Sequence, residues 1–470
     1  MKFYTRFSAR LLPAAIVLLL ATTSCESFLD VGPPPTQVDA ATVFTTDASA
    51  TGAMLGVYSG LNSTGTSGIT NNAGLSTFLG LAADELTYAN AQYDQYRLNN
   101  VSPVNGTVDF FWGQTYTSIY QLNTIVDGLQ NNTTVTPALR NQLLGEARFL
   151  RAFLYFHLAN LFGDVPLVLT TDYRVAGQLG RTPKTEVYAQ VLADLLEAQK
   201  LLVPAYPVAN ERTRVNQAAA TALLARVYLY QQNWAAAEAQ ATAVINQTSV
   251  YQLVAPATTF LAGSQEAIWQ LRRGGSISAN TYEGQYFIPA SLTVAPTATY
   301  LLTNQVYAAF VENDVRRSTW TNSYTLAGTT YRYPFKYKQR VATTGGAAAT
   351  EHSQVLRLAE QYLIRAEARA RQGKSADAVA DLNAVRARAS ATPLAATLSS
   401  NDLLLAVENE RLRELFAEWG HRWFDLIRTG RAAAVLPAVK GQPWDPNDAV
   451  WPIPNPQLLA NPNLTQNAGY

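Results

Sequence analysis

Two stretches of this chain, set 141 residues apart, carry the same pattern of small side chains, and that repeat limits the possible folds more than any other feature. Ala225 falls on Ala366, Gln231 on Gln372, Ala237 on Ala378 and Val244 on Val385. Each copy reads as a helix, a short turn and a second helix, about 34 residues in all, the layout of tetratricopeptide-type stacking. Small residues at matching places let paired helices approach closely. The apolar spacing predicts helices over 137–161, 184–202, 215–231, 234–247, 355–372, 375–389 and 401–417. Pro137 suits a first helical turn, and Gly163-Asp164 with Pro166 ends that helix. In 355–371 the apolar face comprises Val355, Leu358, Ala359, Tyr362, Leu363, Ala366 and Ala370.

Between 248 and 354 the helical period is lost. Pro, Gly, Thr and aromatic residues alternate there, with strand-like runs at 267–271 and 330–337. A structureless insertion of this length is commonly functional. The expected fold class is therefore mainly α: a tetratricopeptide-like helical repeat scaffold with an irregular, partly β variable ligand-binding region.

The N-terminus has the form of an export signal. Lys2, Arg6 and Arg10 precede an uncharged stretch from Leu11 to Thr23, then Ser24 and Cys25. The stretch is shorter than the roughly 20 apolar residues that cross a bilayer. Residues 1–24 are expected to be removed and Cys25 to be acylated, as in bacterial lipoproteins, although Thr22 stands where such signals prefer Leu. Multiple acyl chains would hold the protein permanently on a membrane. Residues 25–40, with Gly32-Pro33-Pro34-Pro35, read as a tether, and 41–470 as the folded body. Cys25 is the sole cysteine, so an intramolecular disulfide is impossible. Loss of three basic residues with the signal moves the formal net charge from +1 to −2. No basic excess remains to neutralise phosphates, which argues against nucleic acid as a partner. Charged residues make up 15% of the chain, a composition better suited to uncharged polar ligands.

No motif points to catalysis. His157, His352 and His421 lie far apart without metal-ligand spacing, and nucleophile-elbow, phosphate-loop and dinucleotide signatures are missing. Glu410, Arg411, Glu414, Arg422 and Asp425 read as carboxylate–guanidinium locks between helices, as do Arg148 and Arg151. Asp84-Glu85 could supply half of a glycosidase pair, which needs two carboxylates facing each other across a sugar. No catalytic residue, metal ligand or cofactor is expected. Capture of a sugar is better served: a flat π face meets C–H groups, and planar polar side chains meet hydroxyls. Two loop-like regions offer that mixture, Tyr88, Tyr93, Tyr96, Arg97 and Asn99 in the first, Tyr282, Tyr286, Trp320 and Tyr324 in the second.

Several runs, in order, resemble the SusD/RagB family of outer-membrane lipoproteins. They include Gly145-Glu146-Ala147-Arg148-Phe149-Leu150-Arg151-Ala152 through Leu161-Phe162-Gly163-Asp164-Val165-Pro166, then Val355-Leu356-Arg357-Leu358-Ala359-Glu360. Gly420-His421-Arg422-Trp423-Phe424-Asp425-Leu426, Trp451-Pro452-Ile453-Pro454 and the closing Asn461–Tyr470 follow; Trp419 stands where the family commonly has a small residue. The resemblance implies a helical scaffold that captures an oligosaccharide or other nutrient. It also implies a SusC-like TonB-dependent transporter as partner, capped by the lipid-anchored, cell-surface-facing protein as a hinged lid. It implies binding without covalent chemistry. A surface glycoside hydrolase and a helical-repeat protein–protein scaffold are the alternatives.

Overall fold

The structure, a computed structural model, describes residues 40–63, 70, 73–297 and 299–470. The export signal, Cys25 and the tether up to residue 39 lie outside the described residues. Ten helices carry the architecture: α1 (Asp47–Leu61), α2 (Gly106–Gln130), α3 (Pro137–Phe162), α4 (Lys184–Leu201), α5 (Gln217–Tyr230), α6 (Trp234–Ile245), α7 (Leu358–Arg371), α8 (Ser375–Arg388), α9 (Ser400–Leu415) and α10 (His421–Arg428). From α2 to α8 each helix packs against the next. The step from α6 to α7 passes over the whole irregular segment, so the scaffold closes as though the insertion were absent.

The repeated small residues make that closure possible. Ala225 and Leu229 of α5, Ala237 and Ala241 of α6, and Ile364 and Ala368 of α7 form one fully buried cluster. Larger side chains there would hold the three backbones apart. Asn216 and Asn233 start α5 and α6, their side-chain oxygens accepting from the N–H groups of Ala219 and Ala236. The mainly α fold matches the expectation. One boundary moves: Val355 to Arg357 belong to a strand, not to the helix that begins at Leu358. All five residues of that strand are buried, which favours extended pairing over a helix with one solvent face.

Two antiparallel two-stranded pairs tie the insertion to the scaffold, and a third forms a hairpin within it. β1 (Leu86–Tyr88) pairs with β3 (Tyr300–Leu302), β2 (Ala267–Leu271) with β6 (Ser353–Arg357), and β4 (Thr321–Leu326) with β5 (Thr329–Pro334). Trp269 of β2 reaches the main core, where Phe149 and Phe153 of α3 present ring edges at 5.1 Å.

Buried charges do the remaining fastening. Arg316, fully buried in the insertion, donates to Asp314 at 2.7 Å and to Glu410 and Glu414 of α9 at 2.6 Å. Arg357 reaches Glu266, Glu414 and Glu418. Arg411 meets Asp425 at 2.6 Å, joining α9 to α10, and Arg148 and Arg151 both meet Asp194, joining α3 to α4. The carboxylates and guanidinium groups expected to lock helices are so used. His157 is buried, its pKa lowered to about 3 by desolvation, so it is a neutral core residue whose Nδ1–H donates to the Phe153 carbonyl at 2.8 Å. Trp419, the unusual residue before Gly420, adopts φ of 48° and turns its indole inward, where Nε1–H donates to the Gln354 carbonyl at 2.6 Å.

Candidate ligand-binding site

The two tyrosine-bearing regions, nearly 200 positions apart in sequence, meet through Tyr300. β1 and β3 pair in a register that sets Tyr88 opposite Tyr300, with ring centroids 4.8 Å apart. Tyr93 lies edge-on to Tyr88 at 4.8 Å and stacks on Tyr300 at 5.7 Å with planes 16° apart. Tyr286 meets the Tyr300 edge at 6.5 Å, and Tyr282 stacks on Tyr286 at 6.4 Å. Tyr88, Tyr93 and Tyr286 are partly exposed, whereas Tyr300 is buried behind them. The result is a faceted, partly exposed aromatic surface backed by Tyr300. Burial raises the pKa of Tyr88 and Tyr286, so these phenols are neutral donors and acceptors.

Local sequence explains how these rings are held. Asn90 caps the short 3₁₀ turn Ala91–Tyr93 by accepting from the Gln92 N–H, and its Nδ2 donates to the Thr297 carbonyl at 3.0 Å. Thr281 caps the helix Tyr282–Phe287 by accepting from the Gly284 N–H. Gly284 is required there: a Cβ would stand 2.2 Å from the Gln339 carbonyl oxygen that crosses the helix. Arg273 lies 3.9 Å from the Tyr282 ring centroid and donates to Gln285 at 2.7 Å, placing a cation beside the facet. On the neighbouring hairpin Tyr324 stacks on Tyr331 at 5.2 Å, and its hydroxyl donates to the Val294 carbonyl at 3.1 Å. Among the described residues Tyr324 makes no ring contact with the facet tyrosines, so the structure does not bring it into the cluster.

Four sequence candidates do not face solvent as a sugar-binding role requires. Trp320 is the main correction. It is fully buried, its Nε1–H donates to the Pro256 carbonyl at 2.8 Å, and Phe260 packs edge-on against it at 5.5 Å. It belongs to the core. Tyr96 is buried behind Phe78 at 4.6 Å, and its hydroxyl donates to Asn105, the residue that caps α2. Tyr282 is buried as the backing of Tyr286, and Asn99 is buried with Nδ2 donating to the Ala82 carbonyl. Arg97 is paired with Asp94 at 2.7 Å. Tyr300, Phe78 and Arg273 were not anticipated; a lone tyrosine opening an apolar triplet was the only sign of Tyr300.

Asp84 and Glu85 lie beneath this surface, not on it. Arg422 grips Asp84 with two 2.7 Å hydrogen bonds, and both carboxylates are buried. Burial pushes Glu85 up to about 8, and Asp84 beside it adds to the rise. Buried and engaged by Arg422 and the Ala417 N–H, the two are not placed to face each other across a sugar. Among the described residues no group of three His, Cys, Asp or Glu side chains is placed to hold a metal ion.

Comparison with known proteins agrees with this architecture. One family model, described as starch-binding and associating with the outer membrane, matches residues 27–229, and the SusD family model matches residues 280–470. The chain belongs to the SusD/RagB family. A SusD-like protein of Formosa agariphila, P25, is 27% identical across 97% of this chain and 98% of its own length. A SusD superfamily crystal structure from Bacteroides vulgatus superposes with a TM-score of 0.78 at 22% identity, covering 90% of this chain and 99% of that one. A structure described as a laminarin-binding SusD-like protein superposes with a TM-score of 0.74 at 23% identity, covering 90% and 99%.

Proposed function

We propose that this protein is a surface glycan receptor that captures an oligosaccharide and delivers it to a SusC-like TonB-dependent transporter, acting as that transporter's lid. The observation that carries the reading is the faceted surface of Tyr88, Tyr93 and Tyr286 over Tyr300, partly exposed rings with a flanking guanidinium. Pyranose C–H faces stack on such rings while phenol and amide groups take the hydroxyls. Family membership and the laminarin-binding relative support the same class of ligand. Asp84 and Glu85 give the hydrolase alternative no support, because both are buried and one is ion-paired.

Acylation at Cys25, after removal of residues 1–24, would tether residues 41–470 to the outer membrane facing outward, and no helix among the described residues is long and apolar enough to cross a membrane. Uptake then needs differential binding of open and closed states, with energy supplied through the transporter. Titration of the full-length chain in detergent against a glycan panel tests the capture step. Binding to at least one oligosaccharide supports the reading, and failure with every glycan opposes it. Cys25→Ala is expected to release the protein from membranes in cells lacking the transporter; retention there contradicts the anchor.

A further inference from the structure

Most guanidinium groups around α9 and α10 are matched to carboxylates; Arg317 and Arg332 are not. Among the described residues no carboxylate lies within ion-pairing distance of either, and the hydrogen bond of Arg332 goes to the neutral Asn304 side chain at 3.3 Å. Both gather on one ring. Each guanidinium carbon lies 4.4 Å from the centroid of Tyr307, on the helix Asn304–Ala309. Arg317 is exposed, Arg332 and Tyr307 partly so. In the hairpin register Arg332 stands opposite Ser323. Tyr307, Arg317, Asn313, Asn322 and Ser323 line a cleft of about 690 Å³. Glu312 and Asp314 also line it, Asp314 engaged by Arg316 at 2.7 Å and Glu312 pairing to neither arginine, while Arg332 reaches Tyr307 from beside the cleft. Hydrogen bonding to Arg317, and less so to Arg332, lowers the Tyr307 phenol pKa.

Two like charges around one ring repel each other, and a shared anion relieves that repulsion. Guanidinium forks match the planar oxygens of carboxylate and the tetrahedral oxygens of sulfate, while the amides and hydroxyl of Asn313, Asn322 and Ser323 suit neighbouring sugar hydroxyls. The cleft is held by the same run as the tyrosine facet, because the helix bearing Tyr307 follows β3 bearing Tyr300. We propose that this cleft binds the anionic substituent of an acidic glycan, a uronate carboxylate or a sulfate ester, so that Arg317 and Arg332 select charged over neutral oligosaccharides. This inference rests on the glycan reading above and names the ligand's charge class. It runs against the uncharged ligand that overall composition suggests, because two unpaired arginines on one ring, Arg317 lining the cleft and Arg332 beside it, outweigh an average over the whole chain.

The test uses the full-length chain in detergent and two matched probe pairs, oligogalacturonate with its methyl ester and sulfated with desulfated agaro-oligosaccharide, plus inorganic sulfate alone. One charged member is expected to bind at least about tenfold tighter than its neutral counterpart at low salt, a gap that narrows at about 0.5 M NaCl. The double substitution Arg317→Gln with Arg332→Gln should abolish the gap and leave the thermal midpoint unchanged. Equal binding within both pairs overturns the inference while leaving the glycan reading intact, and so does a gap that persists in the double variant. Binding of inorganic sulfate as tightly as the charged sugar also overturns it, marking a free-anion site. Failure of every sugar, charged or neutral, sinks this inference and the glycan reading together.

Discussion

The junction between α9 and the inserted segment and the tyrosine facet use polar chemistry in opposite ways. At the junction every oxygen of Glu414 meets a buried cation: Arg316, Arg357 and Arg388 surround it, and together they hold its pKa down. At the facet the rings of Tyr88, Tyr93 and Tyr286 stay partly exposed around the buried Tyr300. Buried ion pairs add little net stability against well-packed apolar residues, yet losing one partner leaves an uncompensated charge. Partly exposed rings behave in reverse, because their loss is felt mainly when a ligand arrives. The comparison teaches that residue type alone does not assign a role. Arginine locks the scaffold at Arg357 and faces a cleft at Arg317; tryptophan, chemically the best sugar platform, is spent on the core at Trp320.

The largest break in this contrast is expected from Arg357→Met. Glu266, Glu414 and Glu418 would lose a shared partner, for a cost of about 3–5 kcal/mol read from urea unfolding. A change under about 1 kcal/mol would mean that the network is solvated. Trp320→Ala should follow at about 3–5 kcal/mol, since it empties a buried site ringed by Phe260 and the Lys336 ammonium. Stability unchanged, with ligand binding lost instead, would return Trp320 to the binding surface. Tyr93→Ala should weaken glycan affinity about tenfold while stability shifts by less than about 1 kcal/mol; calorimetric titration and melting separate the two.

The finest distinction concerns Glu85 below the facet. Its folded pKa of about 8 lies above the ordinary 4.5, so the native state holds a proton that the unfolded chain has released. Its contribution is therefore complete below about pH 4.5 and declines as pH rises through about 8. Glu85→Gln keeps an acceptor for the Ala417 N–H and should flatten the fall in stability between pH 5 and 8. An unaltered pH profile would show that Glu85 is ionised in the folded protein.

Sequence periodicity reached the scaffold because the repeat is written in small residues that only helix pairs need. α5 and α6 are found at 217–230 and 234–245 against expected 215–231 and 234–247. Helix α2 escaped notice because Thr, Tyr and Asn dilute its apolar face, although Asn105 at its cap and Val108, Phe111, Trp112, Ile119, Leu122, Val126 and Leu129 carry the spacing. The site was half legible. Chemistry singled out Tyr88, Tyr93 and Tyr286 as candidates, which the structure gathers in one cluster, but the pairing of β1 with β3 that inserts Tyr300 between them is a long-range contact with no local mark. Trp320 misled for the same reason: its short helix Val315–Trp320 sits in an irregular stretch, and only the tertiary structure shows Phe260 closing over it.

The most direct measurement titrates one glycan panel into the wild-type chain and into the double variant Tyr88→Ala with Tyr93→Ala, each checked for an intact melting transition. A glycan that binds the wild type and is lost from a still-folded variant is the predicted result. Undiminished affinity in that variant would contradict the assignment of the tyrosine facet as the capture surface.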